Sequence, residues 1–260
     1  MKRPGIPLLI NSTLAFVAAF LVTTFIHEGG HFLSYLLFGE SPTLYHNYVQ
    51  VNGPALPLHV RVVSALAGPL ISLVQGGVCW ALLARGAGGS TRRLLLLWLS
   101  LLGFVNFFGY LVMTPLSTAG DTGKVAGLLT IAYPIRIVIA VVGFALLLWI
   151  LMAVGRYFAH FIPRSADEPT RAGYVYRLMF FPILIGSVAN SLLSFPIPVL
   201  LSVIYPATSS FAIMSTFPAI MKAHSPGTGP SELAARIRVP LGIALLLLIA
   251  ANRLLTFGLG

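Results

Sequence analysis

Long apolar runs separated by short polar connections dominate the chain. The runs cover residues 7–38, 62–84, 94–113, 137–154, 175–193 and 239–255. Because about 20 mostly apolar residues cross a bilayer as a helix, each run is a candidate transmembrane helix. Residues 196–221 contain four prolines and are expected to be kinked or re-entrant if they span at all. The pattern predicts an all-α polytopic membrane protein with six or seven transmembrane helices in one membrane domain, residues 1–260.

A small β-hairpin is predicted between the first and second helices. Residues 43–51 and 55–62 are rich in residues that favour strands, and they flank Asn-Gly-Pro at 52–54, a turn signal. We therefore expect two short strands at the membrane surface, joined by this turn.

The composition supports a membrane protein. Of the 260 residues, 57% are hydrophobic and only 8% are Asp, Glu, Lys or Arg, whereas soluble domains carry about 25% charged residues. In a soluble chain, a formal net charge of +10 would suggest nucleic-acid binding. Here many cations stand at the ends of apolar runs, where they anchor and orient helices. We therefore expect a lipid bilayer, and no nucleic acid, as the partner.

A candidate metal-binding motif lies inside the first apolar run, where residues 27–31 read His-Glu-Gly-Gly-His. On a helix, positions i and i+4 share a face, so His27 and His31 can bind one zinc ion. Glu28 would then lie beside the metal-bound water that it deprotonates. The two central glycines lower helix stability by roughly 1 kcal/mol each relative to alanine, which indicates that another segment approaches closely.

Zinc held by two histidines needs a third protein ligand and an open position for water. Four of the six acidic residues lie in polar connections, which leaves Glu28 and Asp121. Asp121 lies in a glycine-flanked break at 117–123, before a short helical stretch at 125–132. A carboxylate on a broken intramembrane helix can turn toward a metal without straining a continuous backbone. Asp121 is therefore the candidate third ligand, and a loop or N-cap aspartate is the alternative.

These motifs resemble the zinc-dependent intramembrane metalloproteases of the site-2 protease family. The resemblance rests on the His-Glu-Gly-Gly-His motif at 27–31, on Ala-Gly-Pro-Leu at 67–70 and on the pair Gly120 and Asp121. It covers roughly residues 7–154, a metalloprotease-like core.

The resemblance implies both an activity and residue roles. His27, His31 and Asp121 would bind Zn²⁺, and Glu28 would be the catalytic base of an endopeptidase. The substrates would be membrane proteins or membrane peptides, cleaved in or near their transmembrane segments. Residues 155–260 carry no part of the resemblance and form additional helices of unknown role.

Two other hypotheses remain open. A proteolytically inactive relative could act as a membrane binding or assembly subunit, since Asp121 is preceded by glycine and followed by threonine, unlike the usual family pattern. A transporter could use His27, Glu28 and Asp121 as a proton or metal path. The metal content of the protein distinguishes these hypotheses. Stoichiometric zinc together with peptide cleavage favours the protease, and zinc without cleavage favours the inactive subunit. The absence of a stably bound metal favours the transporter.

Three further residues are weaker candidates for a role at the metal site. His46 and His59, in the predicted hairpin, are interpreted as surface histidines rather than ligands. Arg136 follows Pro134 and is interpreted as an interfacial anchor rather than a buried partner of Asp121.

The distribution of cations predicts the orientation in the membrane. If the helices alternate in direction, Lys and Arg are concentrated on the side of the N-terminus, which the positive-inside rule places in the cytoplasm. His27 lies about 30 Å along the first helix from Pro7, near its far end. The metal site then opens toward the exoplasmic face, whereas the family resemblance implies a site nearer the cytosol.

Overall fold

The computed structural model describes residues 5–86, 88–196, 204–205, 208–224 and 232–260. The predicted all-α polytopic fold is confirmed. Within the described residues, six helical segments are long and apolar enough to cross a membrane: Ile6–Leu37, Leu58–Ala84, Ser90–Met113, Tyr133–Phe161, Glu168–Leu193 and Val239–Phe257. Two cations of the N-terminal side, Lys2 and Arg3, lie outside the described residues, as does part of the proline-rich stretch 196–221.

The first half of the chain contains most of the long helices. Its elements are α1 (Ile6–Leu37), β1 (Pro42–Leu44), β2 (Val49–Val51), α2 (Leu58–Ala84), α3 (Ser90–Met113), α4 (Asp121–Leu128), α5 (Tyr133–Gly155) and a 3₁₀ helix (Arg156–Phe161).

The second half is more broken. Its elements are α6 (Glu168–Val175), a π-helical turn (Tyr176–Phe180), α7 (Phe181–Leu193), a 3₁₀ helix (Ser209–Thr216), α8 (Phe217–Lys222), α9 (Glu232–Ala235), α10 (Val239–Leu254) and a final 3₁₀ turn (Leu255–Phe257).

Helix α1 is the central element and packs against α2, α3, α7 and α10. Small residues allow the close packing between its neighbours α2 and α3. A Cβ at Gly103 of α3 would lie 2.7 Å from the backbone oxygen of Ser72 on α2. Gln75 of α2 joins the three helices, since its Nε2 donates to Thr23 Oγ1 on α1 at 2.8 Å and to the Leu99 carbonyl on α3 at 2.9 Å. Close backbone contact and interhelical hydrogen bonds are what hold helices together in an apolar solvent.

The core of the bundle is centred on Trp98, which is completely buried. Its ring contacts Phe16 and Phe158 edge-on, at 4.9 and 5.1 Å between centroids. Its indole N–H donates to Ser12 Oγ at 3.2 Å, and Ser12 Oγ donates to the Leu178 carbonyl at 2.5 Å. Leu178 lies in the π-helical turn, where the normal helical bonding is interrupted and a carbonyl can accept from a side chain.

The outward faces of α5 and α10 are strongly apolar. Large exposed hydrophobic side chains on these helices include Ile135, Val138, Val141, Trp149, Val239, Ile243, Leu246 and Leu247. Such surfaces are unfavourable in water and are the expected lipid contacts of a membrane protein.

The predicted hairpin exists, but its turn lies elsewhere. Pro42 pairs with Val51 in an antiparallel register, and the chain reverses at residues 45–48 rather than at 52–54. Tyr45 N–H donates to the Tyr48 carbonyl at 2.9 Å, and the two rings stack at 4.4 Å. Residues 58–62, expected in a strand, begin α2 instead, because Pro57 supplies a φ of −53° at the helix N-cap.

The proline-rich stretch forms no long helix within the described residues. Ser194 lies at the hairpin end of the bundle, where its carbonyl accepts from His46. Helix α8 lies at the opposite end, against α6 and the 3₁₀ helix after α5. Ser194 and Phe217 therefore lie at opposite ends of the bundle, and the 3₁₀ helix Ser209–Thr216 is the longest described element between them. In the part of the chain that the structure describes, six of the predicted six or seven spans are long helices.

Candidate metal centre

His27 and His31 lie one turn apart on α1 and face the same way. Both are buried, and their rings meet edge-on at 4.7 Å between centroids. Their Nε2 atoms are 3.1 Å apart. The i, i+4 spacing of the motif therefore places two ligand atoms at one point, as predicted.

Asp121 is the first residue of α4 and reaches the same point. Its Oδ2 lies 3.1 Å from His27 Nε2 and 3.3 Å from His31 Nε2. Within the described residues, these three side chains form the group able to hold a metal ion. The predicted ligand set His27, His31 and Asp121 is thus brought together.

Hydrogen bonds from α4 to the end of α3 hold Asp121 in place. Thr122 Oγ1 donates to the Tyr110 carbonyl at 2.6 Å, and Thr114 Oγ1 donates to Thr122 Oγ1 at 2.8 Å. At the other end of α4, Arg136 donates to the carbonyls of Ile131 and Ala126 at 2.8 and 3.1 Å. Both ends of this short helix are fixed.

The spacing of the three ligand atoms suits tetrahedral zinc. Zinc bonds of about 2.0–2.1 Å at tetrahedral angles separate neighbouring ligand atoms by roughly 3.3–3.4 Å. The observed separations of 3.1, 3.1 and 3.3 Å are close to this value. Asp121 Oδ2 is buried and has no hydrogen-bond partner of its own. A cation at this point would satisfy it.

The outer nitrogen of each imidazole contacts α2, which orients the Nε2 lone pairs toward the site. His31 Nδ1 lies 2.6 Å from the Ser64 carbonyl, so Nδ1 carries the proton that is donated. Ser72 Oγ donates to the Gly68 carbonyl at 3.1 Å and lies 3.4 Å from His27 Nδ1. Histidine ligands of metals typically donate their other N–H in this way.

Helix α2 approaches the motif very closely, as the glycine pair predicts. A Cβ at Gly30 would lie 2.8 Å from the Ala67 carbonyl oxygen, whereas a Cβ at Gly29 would meet nothing within 4 Å. The reverse contact is tighter, because a Cβ at Gly68 would lie 2.3 Å from His31 Nε2. Gly30 and Gly68 therefore allow α2 to lie directly against α1 and against the two imidazole rings.

The three candidate ligands line a cavity of about 440 Å³, within the range typical of ligand-binding pockets. Glu28 is buried and lines the same cavity. Lys124, Tyr35 and Val49 of β2 are also part of the wall. The cavity thus combines three converging ligand atoms, a further carboxyl group and space for a bound chain segment.

Several residues of the cavity carry no signal in the sequence. Tyr110 stacks on His27 with the rings 5.1 Å apart and nearly parallel. Tyr205 and Ser209 line the cavity from the second half of the chain, for which the sequence indicates no role. No short motif marks them, because they reach the site through helix packing rather than through local spacing.

The weaker candidates do not join the metal group. His46 is buried rather than at the surface, and its Nε2 lies 2.9 Å from the Ser194 carbonyl. Burial lowers the pKa of His46, so its ring is held neutral as a donor. His59 is exposed and contacts Phe38. Arg136 donates to carbonyls at the C-terminal end of α4 and, as predicted, is not a partner of Asp121.

Comparisons with family models, curated proteins and solved structures find no match to this chain. The fold and the site define the class: an all-α polytopic membrane protein with a His-His-Asp group able to bind a metal ion, in which both histidines are buried and the aspartate is half-buried.

Proposed function

We propose that this chain is a zinc-dependent intramembrane endopeptidase that hydrolyses peptide bonds in or near the transmembrane segments of its substrates. One observation carries the proposal: Nε2 of His27, Nε2 of His31 and Oδ2 of Asp121 converge at tetrahedral zinc spacing in a cavity that Glu28 also lines. A purely structural cluster would not need a further buried carboxyl group beside it.

The residues divide the chemistry between them. Zinc, when bound, is a Lewis acid that makes water acidic enough to supply a nucleophile near neutral pH. His27, His31 and Asp121 would hold the ion as its three protein ligands. Glu28 accepts the proton of the attacking water and then donates it to the leaving amine.

A substrate must present an unwound backbone, since helical carbonyls are engaged in i to i+4 bonds. The hairpin offers one edge for such a strand. Leu44 of β1 exchanges both backbone hydrogen bonds with Leu259, at 2.8 and 2.9 Å, so the outer edge of β1 is occupied by the C-terminal tail. The edge of β2 lies beside the cavity through Val49. We infer that an extended substrate pairs with β2.

The test compares Glu28→Gln with wild type and with Glu40→Gln, which makes the same change in the connection after α1. Zinc is measured in purified protein by atomic emission. New protein N-termini are mapped by mass spectrometry in membranes of cells that express each variant. Because glutamine keeps the shape of glutamate but cannot accept a proton, Glu28→Gln should retain one zinc per chain and produce no new N-termini.

The control variants distinguish a proton-accepting role of Glu28 from a role as metal ligand or structural residue. Glu40→Gln should behave as wild type, and His27→Ala should lose zinc. Equal zinc loss in Glu28→Gln and His27→Ala would make Glu28 a ligand or a structural residue. Zinc in the wild type without any cleavage would favour a binding or assembly subunit, and absence of bound metal would favour a transporter.

A further inference from the structure

The two histidines of the metal centre are not held equally well. His31 has a short bond of 2.6 Å from Nδ1 to the Ser64 carbonyl. The corresponding contact of His27, to Ser72 Oγ, is 3.4 Å long, at the limit of a hydrogen bond. A ligand ring with such a weak partner needs another restraint to keep its plane aimed at the metal.

Tyr110 supplies that restraint from α3. Its ring lies 5.1 Å from the His27 ring, at an interplanar angle of only 5°. A parallel stack resists tilting of the imidazole out of its plane, which a single long hydrogen bond does not.

The same residue also contacts the segment that carries Asp121. The Tyr110 carbonyl accepts the 2.6 Å bond from Thr122 Oγ1. A Cβ at Gly120 would lie 3.4 Å from the Tyr110 ring, an ordinary van der Waals distance, so the segment that carries Asp121 lies against this ring.

Tyr110 is itself supported on its outer side. The Tyr205 ring lies 6.0 Å from it at an angle of 23°. His27, Tyr110 and Tyr205 thus form a column of three stacked rings, which links the metal ligand to a residue of the second half of the chain.

We propose that Tyr110 is a positioning residue of the metal centre, which fixes the ring of His27 and the helix of Asp121 relative to each other. The inference rests on metal binding by the triad, which is the first step of the proposed function, and does not require peptide cleavage. Outer-shell groups of this kind typically contribute about 10- to 100-fold to metal affinity.

The experiment measures affinity for Zn²⁺ by chelator competition, and the visible absorption of the Co²⁺-loaded protein, with the full chain in detergent. Tyr110→Leu and Tyr110→Met remove the ring, and Tyr110→Phe keeps it. Phe108→Leu is the matched control, since Phe108 is a buried aromatic residue on the same helix and belongs to the core. Thermal unfolding of the metal-free proteins reports folding.

We expect the aliphatic variants to bind zinc about tenfold more weakly, with altered Co²⁺ bands. Tyr110→Phe should keep the wild-type spectrum and most of the affinity, and Phe108→Leu should lower only the unfolding temperature. The proposal is overturned if either aliphatic variant binds zinc as the wild type does, or if Phe108→Leu loses as much affinity. A wild type that binds zinc but cleaves nothing would instead overturn the proposed function alone.

Discussion

At the scale of single residues, Gly68 sets the tightest requirement on the metal centre. Its missing side chain leaves the space that the His31 ring occupies, because a Cβ there would lie 2.3 Å from Nε2 and 2.9 Å from His27 Cε1. No rotation of a flexible side chain can relieve this contact, since the atoms belong to buried rings that are held on their other sides.

We therefore predict that Gly68→Ala displaces His31 and lowers zinc affinity at least tenfold, the loss typical of a disturbed outer shell. Gly77→Ala is the matched control on the same helix, because a Cβ at Gly77 meets nothing within 4 Å. It should leave the affinity unchanged and stabilise α2 by up to about 1 kcal/mol. Chelator competition checks the affinity and thermal unfolding checks the stability. Wild-type affinity in Gly68→Ala would show that α2 can move away at no cost to the site.

The ligand residues could be predicted from the sequence, whereas their supports could not. His27 and His31 are one helical turn apart, so their meeting is a property of any α-helix. Asp121 could be predicted as the third ligand because acidic residues are rare in this chain and four of the six lie in polar connections. Gly68 belongs to the Ala-Gly-Pro-Leu motif at 67–70, but the motif does not reveal its contact with His31. Tyr110 resembles many other aromatic residues, and only the packing of α1 against α2 and α3 gives both residues their roles at the site.

At the scale of elements, the position of the short helix α4 depends on how its two ends are held. It has eight residues, Asp121–Leu128, and isolated helices of this length are unstable. Asp121 at its first position can be held still only if the remainder of the helix is fixed. Arg136 fixes the C-terminal end through its bonds to Ile131 and Ala126, and its positive charge is favourable beside helix carbonyls.

We predict that Arg136→Gln loosens α4 and weakens zinc binding several-fold. The substitution removes the hydrogen bonds that the charged guanidinium donates to Ile131 and Ala126, and bonds of this kind contribute about 1.5–3 kcal/mol each to stability. Amide hydrogen exchange in residues 126–131 should accelerate. Arg156→Gln removes an exposed cation at the end of α5 and should change neither quantity. Unchanged exchange in Arg136→Gln would mean that Thr122 and the packing of α4 hold the helix without the cap.

Element boundaries were predictable where hydrophobic periodicity was long and unreliable where it was short. Each long apolar run lies within one of the six helical segments to within one residue. The segments that begin at 58, 90, 133 and 168 start earlier than their runs because their first turns contain polar residues. The hairpin turn was misplaced, since Asn-Gly-Pro at 52–54 is a strong local turn signal. The pairing of Pro42 with Val51 and the stacking of Tyr45 on Tyr48 determine the register instead.

At the scale of the whole molecule, the two ends of the bundle differ in charge. Contacts of Asn11 with Leu233 and of Ser12 with Trp98 gather the start of α1, the start of α3 and the 232–238 segment at one end. Among the described residues, the cations at that end are Arg85, Arg92, Arg93, Arg156, Arg164, Arg171, Arg177, Lys222, Arg236 and Arg238. Those at the hairpin end are Arg61, Lys124, Arg136 and Arg253.

This asymmetry argues for a cytoplasmic N-terminal end and a metal centre that opens toward the exoplasmic face, because Lys and Arg are retained on the cytoplasmic side. The family resemblance argues for the reverse. Single cysteines decide between them when placed at exposed positions of the two ends. Gly89 lies between α2 and α3, and Gln50 lies on β2. The one native cysteine, Cys79, is buried and is replaced by serine in both variants.

We predict that a membrane-impermeant maleimide labels Gln50→Cys on intact cells and labels Gly89→Cys only after the membrane is permeabilised. The physical reason is the positive-inside rule applied to the charge difference between the ends. Zinc content of each variant verifies that the substitution has not disturbed the fold. Labelling of Gly89→Cys on intact cells, with Gln50→Cys protected, would place the hairpin and the metal centre on the cytoplasmic side. The charges at the N-terminal end would then face outward, and the orientation implied by the site-2 protease resemblance would be the correct one.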